Sequence, residues 1–209
     1  MKYVGAKLPV HPGRWMADST VNLQPMRLPA LFFICGLCPS VSGQSGTADA
    51  TGRYMITEEI GLPLSRAALV KSARLAWERS FGLEPGSRLV RQDEVNGVME
   101  GTARFNYRSR VLTAREETMG TITYLVSIHM RNGHCTVLVH DLVHRGNRDA
   151  PGGGMNLGHL LDGDAPATHY PGMGLTASRK IHADMRQVAG DRIREVMRQF
   201  TSIMRQAGP

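Results

Sequence analysis

Cysteine is scarce in this sequence, and the scarcity excludes two kinds of stabilised secreted domain. The 209 residues contain three cysteines. Cys35 and Cys38 fall in an amino-terminal stretch that has the features of a cleaved leader, so only Cys135 remains in the mature chain. A lone cysteine can form neither an intrachain disulfide nor a cysteine-based zinc site. Cys135 lies in a strand pattern, and we expect it to be a small apolar core residue.

A hydrophobic run long enough to span a membrane is also missing. The apolar run Leu28–Leu37 has roughly ten residues, whereas a spanning helix needs about 20. The run follows a methionine and an arginine and precedes the small residues Val41 and Gly43. This order is typical of a secretory signal peptide. We therefore predict a signal peptide over residues 26–43, cleaved after Gly43, preceded over residues 1–25 by a mis-assigned start or a disordered leader.

Two alternatives remain for this amino-terminal region. The apolar run could be a buried helix, although its proline and its position favour a signal peptide. A lipoprotein anchor on Cys35 or Cys38 is a weaker hypothesis, because Ile34 and Leu37 are bulkier than the small residue that such a cleavage site requires. The sequence thus predicts an exported protein, periplasmic or extracellular, without a transmembrane segment in its mature part.

The basic charge of the chain is smaller than its composition suggests. Residues 1–43 carry four basic side chains against one acidic side chain, so their removal lowers the formal net charge from +7 to +4. A strongly basic domain would indicate a nucleic-acid partner. Here the remaining arginines are spread along the sequence, and export removes the protein from the cytoplasm. We therefore expect no nucleic-acid binding.

The rest of the chain alternates between strand patterns and two helical patterns. Residues 44–51 are rich in glycine, serine and alanine, which predicts a flexible lead-in. The elements that follow are a strand at 52–60, a helix from Arg66 with Ser65 as its N-cap, strands at 88–94 and 98–107, a hairpin at 121–145, a Gly/Pro-rich loop at 147–174 and a helix within 175–209. The order β-α-β-β-β-β-α predicts an α+β fold, with both helices on one face of a curved antiparallel sheet.

Asn132-Gly133 is the pair best suited to a type I′ hairpin turn. Pairing outward from it predicts one apolar face made of the pairs Met130–Cys135, Ile128–Val137, Val126–Val139, Tyr124–Asp141 and Ile122–Val143. The other face would carry Leu142 and the histidines His129, His134, His140 and His144. A solvated face decorated with histidines is the favoured interpretation of that pattern, because His140 and His144 lie about 13 Å apart by strand rise and cannot bind one metal together.

The element order and several short motifs resemble a secreted bacterial domain of unknown function with a TBP-like (TATA-box-binding-protein-like) fold, common in Bacteroidota. The matching residues are Leu69, Ala73 and Phe81 in the first helix, Val90–Glu94 with Gly97 and Gly101, Ile128–Gly133, and Asp141, Leu142, His144 and Gly146. The family has an aromatic residue where Leu142 stands. The resemblance covers roughly half of the chain and implies the fold and secretion. It implies no activity.

Asp141 is the unusual residue on the predicted apolar face. A buried carboxylate must be hydrogen-bonded or its pKa must rise, and the Tyr124 hydroxyl could be its donor. Three interpretations are open. Asp141 could tie down a loop or a helix end, it could be the polar anchor at the mouth of an apolar pocket, or a bulge could move it to the wet face.

The sequence favours a non-catalytic binding or interaction module over an enzyme. An apolar groove between the sheet and the carboxy-terminal helix would hold an apolar small molecule or a protein partner, with Asp141, Tyr124, Phe105 and Met185 as the ligand-binding residues. No catalytic residue, cofactor or metal site is assigned. The alternative is an enzyme or metal-binding protein that uses Asp141 with the loop residues His159, Asp162, Asp164 and His169.

Overall fold

The computed structural model describes residues 44–48, 52–150, 153–163 and 169–206. The predicted leader and signal peptide lie outside these residues. The described elements are β1 (Gln44–Ala48), β2 (Tyr54–Gly61), α1 (Arg66–Glu78), β3 (Arg88–Asp93), β4 (Val98–Tyr107), β5 (Gly120–Arg131), β6 (His134–Gly146), β7 (Gly158–His159) and α2 (Leu175–Gln206), with single 3₁₀ turns at Phe81–Leu83 and Glu116–Thr118.

The strands form one curved antiparallel sheet in the order β1-β2-β6-β5-β4-β3, and β7 adds to β6 beside β2. Both helices pack on the same face. Trp77 of α1 lies over Gly101 of β4, and Gly190 of α2 lies against the Tyr54 hydroxyl of β2. Gly101 and Tyr54 are buried members of strands whose alternate residues are solvated. The predicted α+β architecture is therefore confirmed. We call the helix-bearing side the covered face and the opposite side the open face.

Helix α1 begins where its capping residue predicts. The hydroxyl of Ser65 accepts a hydrogen bond from the Ala68 amide at 3.3 Å, which satisfies one of the unpaired amides of the first turn. The apolar positions at helical spacing are buried. Trp77 stacks on Phe81 at 5.5 Å between ring centroids, and Phe81 in turn meets Phe200 of α2 at 5.8 Å. These aromatic contacts join both helices to a single core.

The hairpin follows the predicted register only near its turn. Met130 pairs with Cys135 and Val126 with Val139, as expected from Asn132-Gly133. The register then shifts, because Leu125 pairs with His140 but Thr123 pairs with Val143. Two residues of β6 therefore stand opposite one residue of β5, which is a β-bulge.

The bulge inverts the alternation of the outer half of β6. Asp141 has a φ of 56° and leaves the covered face, so the prediction that it shares the apolar face is wrong. The predicted pairs Tyr124–Asp141 and Ile122–Val143 are wrong for the same reason, because Ile122 pairs with His144. Leu142 and His144, predicted on the wet face, are instead buried at 1% and 0% exposure.

Two segments that were predicted as irregular are partly ordered. Gln44–Ala48, expected to be a flexible lead-in, pairs with β2 as an edge strand. Within the Gly/Pro-rich loop, Gly158–His159 forms β7, and four apolar side chains enter the core: Leu157, Leu160, Tyr170 and Met173. Apolar burial fixes these parts of a loop whose composition alone indicates a flexible connection.

Candidate functional site

Asp141 lies at the junction of three chain segments. Its carboxylate accepts a hydrogen bond from the Arg53 guanidinium at 2.7 Å and lies 3.5 Å from Nδ1 of His159. Arg53 immediately precedes β2, and His159 belongs to β7. Asp141 therefore links the bulge in β6 to the two strand segments beside it. These contacts agree with two of the three interpretations: Asp141 ties down a loop, and a bulge moves it off the apolar face. The Tyr124 hydroxyl is not its partner, contrary to the prediction.

The other three predicted ligand-binding residues lie in the core. Tyr124 and Met185 are 1% and 0% exposed, and Phe105 is 6% exposed. The rings of Phe105 and Tyr124 meet at 6.1 Å, so the structure does bring these two residues together. Burial raises the pKa of Tyr124 well above its usual range. A ligand between sheet and α2 would have to displace packed side chains at this position.

Buried polar contacts hold α2 against the sheet, and sequence reasoning missed them. Asp184 accepts hydrogen bonds from the Tyr107 hydroxyl at 2.8 Å and from the Arg110 amide at 3.0 Å. Two further points along the helix are tied in a similar way, because Arg192 donates to Glu84 at 2.6 Å and Thr201 donates to Glu58 at 2.8 Å. Such charge-assisted bonds are short and strong, and they fix the position of α2. One feature of the sequence could have indicated these contacts: Asp184 is an acidic residue among the apolar residues of the helix face that packs on the sheet.

The histidines of the hairpin divide into two groups. His129 and His134 are exposed on the open face, and His140 is half-buried beside the Ser127 hydroxyl at 3.1 Å. His144 differs, because it lies in the core under residues 155–160, where its Nδ1 accepts a hydrogen bond from the Leu157 amide at 3.3 Å. Burial lowers the pKa of His144 to about 4, so the ring is neutral at pH 7.

The loop residues of the alternative metal or catalytic hypothesis do not converge where they are described. His159 lies beside Asp141, whereas Asp162 faces Arg186 at 3.6 Å. Asp164 falls outside the described residues. Among the residues that are described, no group of three or more histidine, cysteine, aspartate or glutamate side chains has a metal-binding arrangement. In the same ranges, neither helix is long and apolar enough to cross a membrane.

The open face carries two hollows. One has a volume of about 510 Å³ near the hairpin turn and is lined by Glu59, His129, Arg131, His134, Cys135 and Thr136. The other, about 630 Å³, lies at the opposite end of the central strands, where β4 ends, β5 begins and β6 ends. Four arginines line it, and we call it the basic hollow: Arg104, Arg108, Arg145 and Arg148.

Strand register explains why arginines that are distant in sequence meet at the basic hollow. Arg104 pairs with Thr123, and Thr121 pairs with Arg145. Arginines of β4 and β6 therefore flank short hydroxyl side chains of β5. Sequence reasoning saw only scattered arginines, because the position of Arg145 on this face depends on the bulge at Asp141.

The comparisons with known proteins concern the fold. No family model matches the chain, and no curated protein matches it. The chain is similar to the crystal structure of a DUF4468 family protein from Bacteroides ovatus, with 16% identity, a TM-score of 0.46, and 73% of this chain and 88% of that chain covered. It is also similar to that of a TBP-like protein from Parabacteroides distasonis, with 11% identity, a TM-score of 0.49, and coverage of 73% and 95%.

Proposed function

We propose that this chain is an exported, non-catalytic binding module that engages its ligand or partner through the open face of the sheet. The observation that carries the proposal is the asymmetry of the two faces. Both described helices and the buried apolar residues of the loop cover one face, with a hollow of about 720 Å³ between α1 and the end of β3, whereas the central strands present two hollows on the other. Concave sites with a few convergent polar groups are the usual places for ligands.

The location differs from the groove that the sequence suggested. Tyr124, Phe105 and Met185 contribute to the core rather than to an accessible lining. Phe105 and Tyr124 point to the covered face, while their strand neighbours Arg104 and Thr123 line the basic hollow. The same two strands therefore supply the core on one side and the proposed binding surface on the other.

Export forms part of the proposal and rests on the sequence. The pattern over residues 26–43 supports a signal peptide, and cleavage after Gly43 would leave β1 intact, since β1 begins at Gln44. The mass of the protein recovered from its host tests this directly. We expect a mature chain that starts at Gln44. Recovery of the chain with residues 26–43 still attached would contradict export by this route.

The binding role is tested by native mass spectrometry of the chain recovered from its host. We expect the wild-type protein to retain a bound species. Thr123→Trp and Thr136→Trp place a bulky ring in the basic hollow and in the other hollow, respectively, and at least one of them should lose that species. Ser202→Trp, at an exposed position of α2, is the matched control and should retain it.

Two outcomes would overturn the proposal. One is a wild-type protein without any bound species. The other is retention of the species by both open-face variants, because the ligand would then lie elsewhere.

A further inference from the structure

The basic hollow concentrates positive charge in one place. Four guanidinium groups line it, and the one carboxylate among its lining residues is that of Asp149. Thr121, Thr123 and Asn106 add neutral hydrogen-bonding groups. Like charges held close together repel one another, so this arrangement costs free energy unless an anion compensates it.

Several arginines of α2 differ from those of the basic hollow in having carboxylate partners. On α2, Arg186, Arg192, Arg194 and Arg198 each have a carboxylate partner: Asp162, Glu84, Asp191 and Glu195, respectively. Within the same described ranges, none of the four arginines of the basic hollow forms an ion pair with a carboxylate. These four arginines of α2 are therefore compensated within the fold, while the charge of the basic hollow remains available to a ligand.

Backbone geometry sets the spacing of the guanidinium groups. β4 and β6 flank β5, and Arg104 and Arg145 are offset by two residues along the strands, so their Cα atoms lie about 12 Å apart with only threonine side chains between them. Arg104 lies against Gly86, where a Cβ atom would come within 2.9 Å of its Nε. Glycine at this positive-φ position leaves room for that side chain at the rim of the basic hollow.

The number of guanidinium groups points to the class of anion. Each guanidinium presents a planar fork that binds phosphate oxygens in pairs. The lining carries four guanidinium charges against one carboxylate, a net of +3, whereas one phosphate monoester carries only about −1.5 to −2. A volume of about 630 Å³ suits a small molecule rather than a folded partner.

We propose that the basic hollow binds a small anion that carries at least two phosphate groups, held by Arg104 and Arg145 from opposite sides of β5, with Arg108 and Arg148 at its margin. This inference rests on the proposed binding role of the open face, and it names the ligand class of that surface.

The test is a calorimetric titration of the full chain with sodium pyrophosphate at low ionic strength. Arg104→Gln and Arg145→Gln should each weaken binding about tenfold, and the double variant about a hundredfold, because each removes a charge-assisted contact. The matched control is Arg79→Gln with Arg179→Gln, which removes the same charge at exposed positions just after α1 and on α2. It should stay within about twofold of the wild type, since distant exposed charges are screened.

Comparison titrations separate the sources of phosphate and the other anions. We expect pyrophosphate to bind more tightly than malonate, which carries carboxylates, and binding to vesicles of phosphatidylglycerol to be weaker at matched phosphate concentration. Equal affinity for malonate would overturn the phosphate assignment. Vesicle binding without pyrophosphate binding would replace the small anion by a membrane headgroup, and tighter binding of a DNA duplex would replace it by a nucleic acid.

The inference also fails if wild-type protein does not bind pyrophosphate, or if the double variant binds as well as its control. The binding module itself would survive that failure if native mass spectrometry still showed a species that Thr123→Trp or Thr136→Trp removes. The two claims are therefore decided by separate measurements.

Discussion

The two faces of the sheet treat charged side chains in opposite ways. On the covered face, Glu58, Glu84 and Asp184 are buried, and each is hydrogen-bonded to a residue of another element. On the open face, the basic hollow gathers arginines around a single carboxylate. Charge on the covered face thus serves to position α2, because a buried carboxylate without partners would be strongly destabilising. The arginines of the basic hollow have no such partner among the described residues, which makes this hollow the place to look for a ligand.

The largest expected effect is the loss of core packing on the covered face. Phe200 is fully buried against Phe81, so Phe200→Ala should lower the free energy of unfolding by about 3–5 kcal/mol. Thr136→Ala on the open face should change it by no more than about 0.5 kcal/mol. Chemical denaturation of both variants gives the two values. Similar losses would mean that the two faces do not differ in packing.

Acidic pH should lower the free energy of unfolding through His144, which is buried on the covered face. Its pKa is about 4 in the folded chain, against an ordinary histidine value of 6.5, so the unfolded chain binds a proton first as the pH falls. The free energy of unfolding should therefore drop by about 3 kcal/mol between pH 6.5 and pH 4 through this residue. About one pH unit above 6.5 and higher, the ring is neutral in both states and contributes no pH dependence.

His144→Asn isolates this contribution. Asparagine keeps an acceptor for the Leu157 amide but does not titrate, and His182, a second buried histidine whose pKa burial lowers, remains in both proteins. Denaturation measured at both pH values should show a smaller acid-induced loss in the variant. Equal losses in the two proteins would show that His144 is solvated and can take up a proton in the folded state.

A third prediction concerns the closeness of α1 to the covered face. A Cβ atom at Gly101 would overlap the ring of Trp77, with Cζ2 only 2.6 Å away. Gly101→Ala should cost about 1–3 kcal/mol of stability through overpacking. In a Trp77→Phe background the cost should shrink by more than about 0.5 kcal/mol, because the outer part of the indole is absent. A cost that is unchanged in that background would assign the overlap to the Arg88 carbonyl oxygen, 2.9 Å from the same Cβ position, instead of to Trp77.

The smallest effect is expected from the open face. Arg104→Gln combined with Arg145→Gln should leave the free energy of unfolding within about 0.5 kcal/mol of the wild type, because these exposed side chains have no ion-pair partner in the described chain. Thermal unfolding without added anions measures it. A loss of several kcal/mol would assign these arginines a structural role and remove the contrast between the faces.

Local signals in the sequence were sufficient for the parts of the fold that local chemistry determines. Ser65 caps α1 because its hydroxyl accepts a hydrogen bond from the Ala68 amide in the first turn. Asn132-Gly133 sets the register of the hairpin from the pair Met130–Cys135 to the pair Val126–Val139. The bulge at Asp141 could not be read in this way. Its ion-pair partner Arg53 is 88 residues distant, and the strand that it meets is part of a loop rich in glycine and proline.

The candidate site depends on the same long-range feature. The alternation predicted for β6 assigned His144 to the open face, whereas the extra residue at Asp141 places Arg145 there instead. Tyr124, Phe105 and Met185 were correctly seen as apolar-face residues, but period-two and helical patterns cannot distinguish a filled core from a groove. The arginines of the basic hollow come from two strands and two connections, so they meet only once the register is known.

The most direct test of the contrast between the faces is a ¹H–¹⁵N NMR titration of the chain with pyrophosphate. The amides of Asn106, Thr121, Thr123 and Arg145 on the open face should shift, while those of Met185, Ile193 and Phe200 on α2 should not. Shifts confined to α2 and to the core residues of β5 would contradict the account, because the ligand would then occupy the space between the helix and the sheet.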